Sequence, residues 1–277
     1  VQHLEGRVIL ITGAANGFGR LIAGKCAAGG AKVVGVDLDE AKLAQVVEAI
    51  RAAGGDASHF VADVTDLEQL QAAARHTVDT YRAIDVIVNN AGIMPLAYFR
   101  DHHRAVEKWH RAIDINIKGV LNGICAVYDQ MIEQGRGQVV NISSIYGNAG
   151  VEGAAVYSAT KAAVTTLSDS LRIETKGRIK VTTVKPTGVF GTNVHTGMVD
   201  RSALVGLVGQ RAETFNERLS AYVKRELPPE LTDRDSVQYW VIKPDELADA
   251  VVYVIDQPWG ISISDITVRA SGEDYVY

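Results

Sequence analysis

Tyr157 and Lys161 stand four residues apart in the run Tyr157-Ser158-Ala159-Thr160-Lys161, and Ser144 lies thirteen residues before the tyrosine. Four residues is about one helical turn, so phenol and ammonium project from the same face. A free tyrosine has a pKa of about 10 and is a poor base at neutral pH. A unit positive charge about 4 Å away, at an effective dielectric of about 20, contributes roughly 4 kcal/mol, or about three pKa units. Such a shift would bring Tyr157 close to neutrality, where a general acid/base works best. A serine hydroxyl nearby would hold a carbonyl or alkoxide oxygen beside that phenol. The group therefore reads as proton transfer at a carbon–oxygen centre. An isolated Tyr-x-x-x-Lys is more often a solvated helix face, so the reading depends on the rest of the chain.

The rest begins at the N-terminus. Arg7-Val8-Ile9-Leu10-Ile11-Thr12 is a short apolar strand, followed by Gly13-Ala14-Ala15-Asn16-Gly17-Phe18-Gly19 and a helical stretch. Glycines there permit a tight turn, close backbone approach to a pyrophosphate and close helix–strand packing. The helix N-terminus offers free N–H groups to phosphates. A second strand, Lys32-Val33-Val34-Gly35-Val36-Asp37, ends in an acid 20 residues after Gly17. That spacing suits a carboxylate on ribose hydroxyls.

With these motifs in order, the chain resembles the short-chain dehydrogenase/reductase family from Gly6 to about Val268. Thr12-Gly13-x-x-x-Gly17-x-Gly19 is similar to the family's cofactor loop, with Asn16 and Phe18 inside it. Asp63-Val64 resembles the pair that contacts adenine, and Asn89-Asn90-Ala91-Gly92 the motif that steadies the sheet beside the cofactor. Asn116, Ser144, Tyr157 and Lys161 fall where the family has its catalytic tetrad. The resemblance implies that Lys161 also holds the nicotinamide ribose and that Asn116 anchors a water linking Lys161 to solvent. It further implies cofactor contacts from Pro186, Gly188 and Val189. One stretch departs from the pattern. Thr187 stands between Pro186 and Gly188 where the family has Pro-Gly, and Gly191 occupies the place of a family threonine. Thr192, one position later, is the candidate for that contact.

Apolar runs that position these residues alternate with helical periodicity. Strands are expected at 7–12, 32–37, 58–62, 85–89, 137–142, 179–184 and 262–268, and helices near 18–29, 39–53, 66–82, 105–133, 156–176 and 244–256. Val- and Ile-rich strands without polar alternation suggest a parallel sheet covered on both faces. The expected fold is α/β: a Rossmann-like, doubly wound parallel sheet of about seven strands, the family order being 3-2-1-4-5-6-7. Residues 1–277 read as one dinucleotide-binding and catalytic domain, with a substrate-covering insertion at about 193–243.

Composition narrows the partners. The formal charge is 28 − 33 = −5, which argues against nucleic acid or an anionic membrane as a main partner. No apolar run approaches a membrane span, and no signal peptide is visible. Cys26 and Cys125 read as buried small apolar residues in a reducing compartment, so a cytoplasmic location is expected. His102 and His103 are expected to point differently in a solvated loop, and no ligand set suggests a metal.

The expected reaction is reversible hydride transfer between NAD(H) and a secondary alcohol or ketone, with Tyr157 as general acid/base. Small or apolar residues from Gly147 to Ala155, and no Arg or Lys cluster, favour an uncharged, hydrophobic substrate. Tyr146 has glycine, not lysine, four residues on and reads as a pocket wall. Asp37 would repel the 2′-phosphate of NADP, so NAD is the expected cofactor. An NADPH-dependent ketoacyl-type reductase would want basic residues there. A non-catalytic dinucleotide sensor would want a damaged tetrad. The family pairs its long helices across two-fold axes, so a homotetramer is expected.

Overall fold

The computed structural model of the chain describes residues 3–190 and 197–275. Its strands are β1 (Val8–Thr12), β2 (Lys32–Asp37), β3 (Asp56–Val61), β4 (Val86–Asn89), β5 (Gly137–Ile142), β6 (Ile179–Pro186) and β7 (Asp265–Val268). They form one seven-stranded parallel sheet in the order β3-β2-β1-β4-β5-β6-β7, as expected. The helices are α1 (Gly17–Ala28), α2 (Glu40–Ala52), α3 (Leu67–Tyr81), α4 (His102–Ile113), α5 (Gly119–Glu133), α6 (Ala155–Glu174), α7 (Val205–Val208), α8 (Ala212–Lys224), α9 (Pro229–Thr232) and α10 (Pro244–Ile255).

Strand alternation distributes side chains between two cores. Ile9 and Ile11 of β1, Val86 and Val88 of β4, and Val140 of β5 join α1, α2 and α10 on one face. Leu10, Ile87 and Val139 join α3, α5 and α6 on the other. Each fully buried Ile or Leu contributes about 1.5–3 kcal/mol. Both faces of β1 and β5 are buried along their whole length, which is why their sequences show no polar alternation. Edge strands differ: Ser58 and His59 of β3 are half-buried, and Asp265 and Thr267 of β7 are exposed.

Three sequence expectations need correction. The helix expected over 105–133 is two helices joined by a π turn at Asp114–Lys118, centred on Asn116. Such wide turns accompany functional sites because the extra residue re-aims the side chains around it. Cys125 is exposed on α5, whereas Cys26 is buried. His102 and His103 sit at the start of α4, in the helix and not in a loop, with ring centroids 3.8 Å apart and planes tilted by 40°, so the rings lie against each other and do not diverge. No helix among the described residues is long and apolar enough to cross a membrane.

Candidate active site

The C-terminal ends of the strands open on one cavity of about 640 Å³. Its walls include Gly13, Asn16, Gly17 and Phe18 from the turn after β1, with Asp37 at the end of β2. Asp63, Val64, Asn90, Ala91 and Gly92 follow β3 and β4, and Ser144, Tyr157 and Lys161 lie beyond β5. Pro186, Gly188 and Val189 close the list of expected site residues along it. Gly19 and Asn116 do not line the cavity, and Thr192 lies outside the described residues.

The glycine turn is shaped by sterics. Gly13 has φ +67°, and a Cβ there would lie 2.9 Å from Asn90 Nδ2. A Cβ on Gly19 would collide with the Gly13 carbonyl oxygen. Helix α1 can therefore start close beneath β1, with no acidic residue in its first turn. That leaves its N–H end suited to phosphate. Asn90 holds the turn in place: its Nδ2 donates to Thr12 O at 2.9 Å and to Gly13 O at 3.2 Å. The Thr12 hydroxyl accepts from the N–H groups of Asn90 and Ala91 at 3.1 and 3.2 Å. Asp37 is tied to the same turn, accepting from Ala15 N at 3.0 Å and from Asp39 N at 3.1 Å. A carboxylate has about four acceptor sites, so the remaining lone pairs stay available to a ligand hydroxyl.

Asn116 is fully buried behind the cavity wall. Its Oδ1 accepts from Ile93 N at 2.9 Å, and its Nδ2 donates to Ile93 O at 2.9 Å and Thr160 Oγ1 at 3.1 Å. Both donors are spent, and one Oδ1 lone pair remains. The side chain thus clasps the segment after β4 to α6, and the expected water would have only that lone pair to bind. A Cβ on Gly92 would fall 3.2 Å from Asn116 Oδ1 and 3.6 Å from Lys161 Nζ, so glycine there keeps the space around the ammonium open.

Tyr157 and Lys161 share one face of α6, as their spacing requires, and both are buried. Lys161 Nζ donates to Ile142 O at 2.8 Å and lies 5.8 Å from the Tyr157 ring centroid. The expected depression of the tyrosine does not arise in the protein alone. Burial pushes the Tyr157 phenol up to about 12, and the Ser144 hydroxyl bond pulls it back only in part. Burial likewise draws the Lys161 ammonium down to about 8. The physical reason is that both groups leave water together, and the ammonium is aimed at a backbone carbonyl and the ring face, not at the phenol oxygen.

Sequence reasoning missed several parts of the cavity. The expected wall needs correction: none of the residues from Gly147 to Ala155 lines the cavity, whereas Arg111 and Arg201 do, both exposed and neither in an ion pair among the described residues. Tyr275 also lines it, although it follows the last strand. Gly188 leaves no room for a Cβ because the Tyr275 ring lies against it. The Thr187 hydroxyl bonds the Glu273 carboxylate at 2.5 Å. The Thr187-Gly188 departure noted in the sequence was the available signal: it fits the returning segment 269–275.

Comparison with known proteins agrees with this architecture. The sequence pattern of a family described as short chain dehydrogenase matches residues 7–202. An uncharacterised oxidoreductase of Listeria innocua is 33% identical over 275 residues, covering 96% of each chain. The fold is similar to that of an alcohol dehydrogenase from the archaeon Thermococcus sibiricus, complexed with 5-hydroxy-NADP. Its TM-score is 0.78 at 20% identity, covering 98% of this chain and 99% of the other. A metagenomic short-chain oxidoreductase in complex with NADP gives a TM-score of 0.72 at 27% identity, covering 96% and 97%.

Proposed function

The chain belongs to the short-chain dehydrogenase family, and from that premise we propose an NAD-dependent oxidoreductase acting on an uncharged, hydrophobic secondary alcohol or its ketone. One observation carries this reading. The Ser144, Tyr157 and Lys161 side chains share a single cavity with the glycine turn and Asp37. The cradle fits a dinucleotide, since Gly17 lines it with φ +50° and no protein atom within 4 Å of a Cβ there, while the close packing at Gly13 and Gly19 keeps the turn tight behind it. Gly13, Asn16, Gly17, Phe18, Asp37, Asp63, Val64, Asn90, Ala91, Gly92, Lys161, Pro186, Gly188 and Val189 would hold it, with Thr192 retained as a candidate.

When bound, the nicotinamide dinucleotide supplies the partner that takes or gives a hydride at the carbinol carbon. The chain handles the proton. In reduction, the Tyr157 O–H passes its proton to the substrate oxygen. In oxidation, the same oxygen takes the alcohol proton. A phenol held protonated up to about 12 is ready for the first direction as it stands. The second needs added stabilisation of the phenolate, which the Ser144 hydroxyl supplies in part. Ser144 also orients the reacting oxygen. Lys161 holds the ribose, and Asn116 positions the wall behind it.

NAD is favoured over NADP because Asp37 is fixed beside the glycine turn by its two backbone bonds. The neighbouring Lys42 is already paired with Asp39 at 2.6 Å. We propose in addition that the insertion expected at about 193–243, of which 193–196 lie outside the described residues, covers the substrate, supported by Met198, Leu204 and Phe215 on the cavity wall. Two free thiols fit a reducing, cytoplasmic setting. The test is reduced-cofactor formation across a panel of secondary alcohols with each dinucleotide. NAD should exceed NADP by at least about tenfold in kcat/KM, the scale of a like-charge clash. Equal use of NADP would overturn the cofactor assignment, and turnover of no alcohol or ketone would overturn the activity.

A further inference from the structure

Two tyrosines in the cavity have no part in the proton transfer. Tyr146 is 4% exposed, and its hydroxyl makes no hydrogen bond among the described residues. Tyr275 stands edge-on to it, with ring centroids 6.4 Å apart and planes at 76°. It is also edge-on to Phe215 at 5.8 Å. Both tyrosines line the cavity that holds Ser144 and Tyr157.

Tyr275 is held from several directions. Its ring packs on Gly188, where a Cβ would displace it. The two residues before it are anchored by side chains from four segments. Glu273 bonds Thr187 at 2.5 Å and Arg269 at 2.6 Å. Asp274 accepts from Trp240 Nε1 at 2.7 Å and from Arg218 Nη1 at 3.1 Å. Tyr275 thereby touches both the apolar cluster around Tyr146 and Tyr157 and the separate cluster of Phe215 and Trp240. A ring fixed in this way presents a rigid flat surface at low entropic cost. A buried phenol with no partner, in contrast, wants one, and the cavity is where a partner can come from.

We propose that Tyr146 and Tyr275 form a second subsite, in which a planar apolar substrate packs on Tyr275 and presents a second oxygen to the Tyr146 hydroxyl. That second oxygen is distinct from the one held by Ser144 and Tyr157. The inference rests on the dehydrogenase reading for the identity of the reacting group, and it names the substrate class: an aryl alcohol or ketone carrying one further hydroxyl or carbonyl. Specificity of this kind arises because an analogue without the second oxygen leaves the buried phenol unpaired.

Binding tests the subsite without turnover, because a ketone and oxidised NAD cannot react with each other. Calorimetric titration in saturating NAD would compare acetophenone with its 2-, 3- and 4-hydroxy derivatives. At least one hydroxylated ketone should bind about tenfold more tightly than acetophenone, the scale of one satisfied buried hydrogen bond. Tyr146→Phe should bring that ratio close to one. Tyr275→Leu should weaken all four ketones while keeping the ratio. A wild-type protein that binds none of them, or shows no gain from any added hydroxyl, would overturn the subsite, as would a gain that survives Tyr146→Phe. The two readings fail differently. Discriminating binding without reduction by NADH would refute the dehydrogenase, whereas reduction without discrimination would refute the subsite.

Discussion

Tyr157 and Lys161 move in opposite directions from their ordinary values for one reason: burial disfavours the charged form of each. The sign of the stability effect follows. Between about 8 and the ordinary 10.5 of lysine, the unfolded chain binds a proton at Lys161 that the folded chain has released. That contribution to stability therefore rises with pH across the window. Between the ordinary 10.0 of tyrosine and about 12, the folded chain keeps a proton at Tyr157 that the unfolded chain has lost. That contribution falls as pH rises. Urea denaturation from neutral to alkaline pH should show a wild-type rise that Lys161→Met lessens, half-buried Lys180 being drawn down in the same window, and a later fall that Tyr157→Phe reduces. Identical slopes in wild type and Lys161→Met would show that burial does not control this ammonium. For catalysis, Tyr157→Phe should lower turnover by roughly 10²–10⁴-fold, the usual loss on removing a general acid/base, while dinucleotide binding persists. Near-normal turnover in this variant, with loss in Tyr146→Phe, would show that the wrong tyrosine had been assigned.

At the scale of elements, the site depends on where strands stop and what is packed behind them. The π turn between α4 and α5 places Asn116 against the segment after β4, and its three hydrogen bonds lock that segment to α6. The turn after β6 is matched to the segment after β7 through Thr187, Gly188, Glu273 and Tyr275. Gly188→Ala should push the Tyr275 ring out of place and cost about 1–3 kcal/mol, as overpacking of a filled site does. Thermal melting together with the near-ultraviolet tyrosine signal would report both effects. An unchanged melting temperature and spectrum would mean that the contact is easily relieved.

At the scale of the whole molecule, α4 and α5 keep apolar residues on the surface. Val106, Ile113 and Leu121 are 37%, 39% and 42% exposed, spaced seven and then eight residues apart, with the π turn taking up the extra one. A run of this kind fits burial against a second copy, in line with the homotetramer expected from the family resemblance. Light scattering should give a mass of four chains, and Ile113→Asp with Leu121→Asp should reduce it. A wild-type mass of 29.8 kDa, that of one chain, would refute the assembly.

The sequence by itself determined the sheet and where most residues of the candidate site fall along it. Buried parallel strands leave uninterrupted Val and Ile runs, glycine turns and terminal acids mark strand ends, and helical spacing puts Tyr157 and Lys161 on one face whatever surrounds them. Local rules suffice for these because each depends on residues close in the chain. Three matters were decided only by the tertiary structure. Whether Lys161 lowers Tyr157 depends on burial and on the direction of the ammonium, and folding aims it at Ile142 O. The Asn116 side chain is spent on Ile93 and Thr160, one 23 and the other 44 residues away. Tyr275 reaches Gly188 and Tyr146 across long stretches of chain, so no local pattern announces it. Spacing fixes which groups can share a helix face, whereas charge, burial and hydrogen-bond partners belong to the packed molecule.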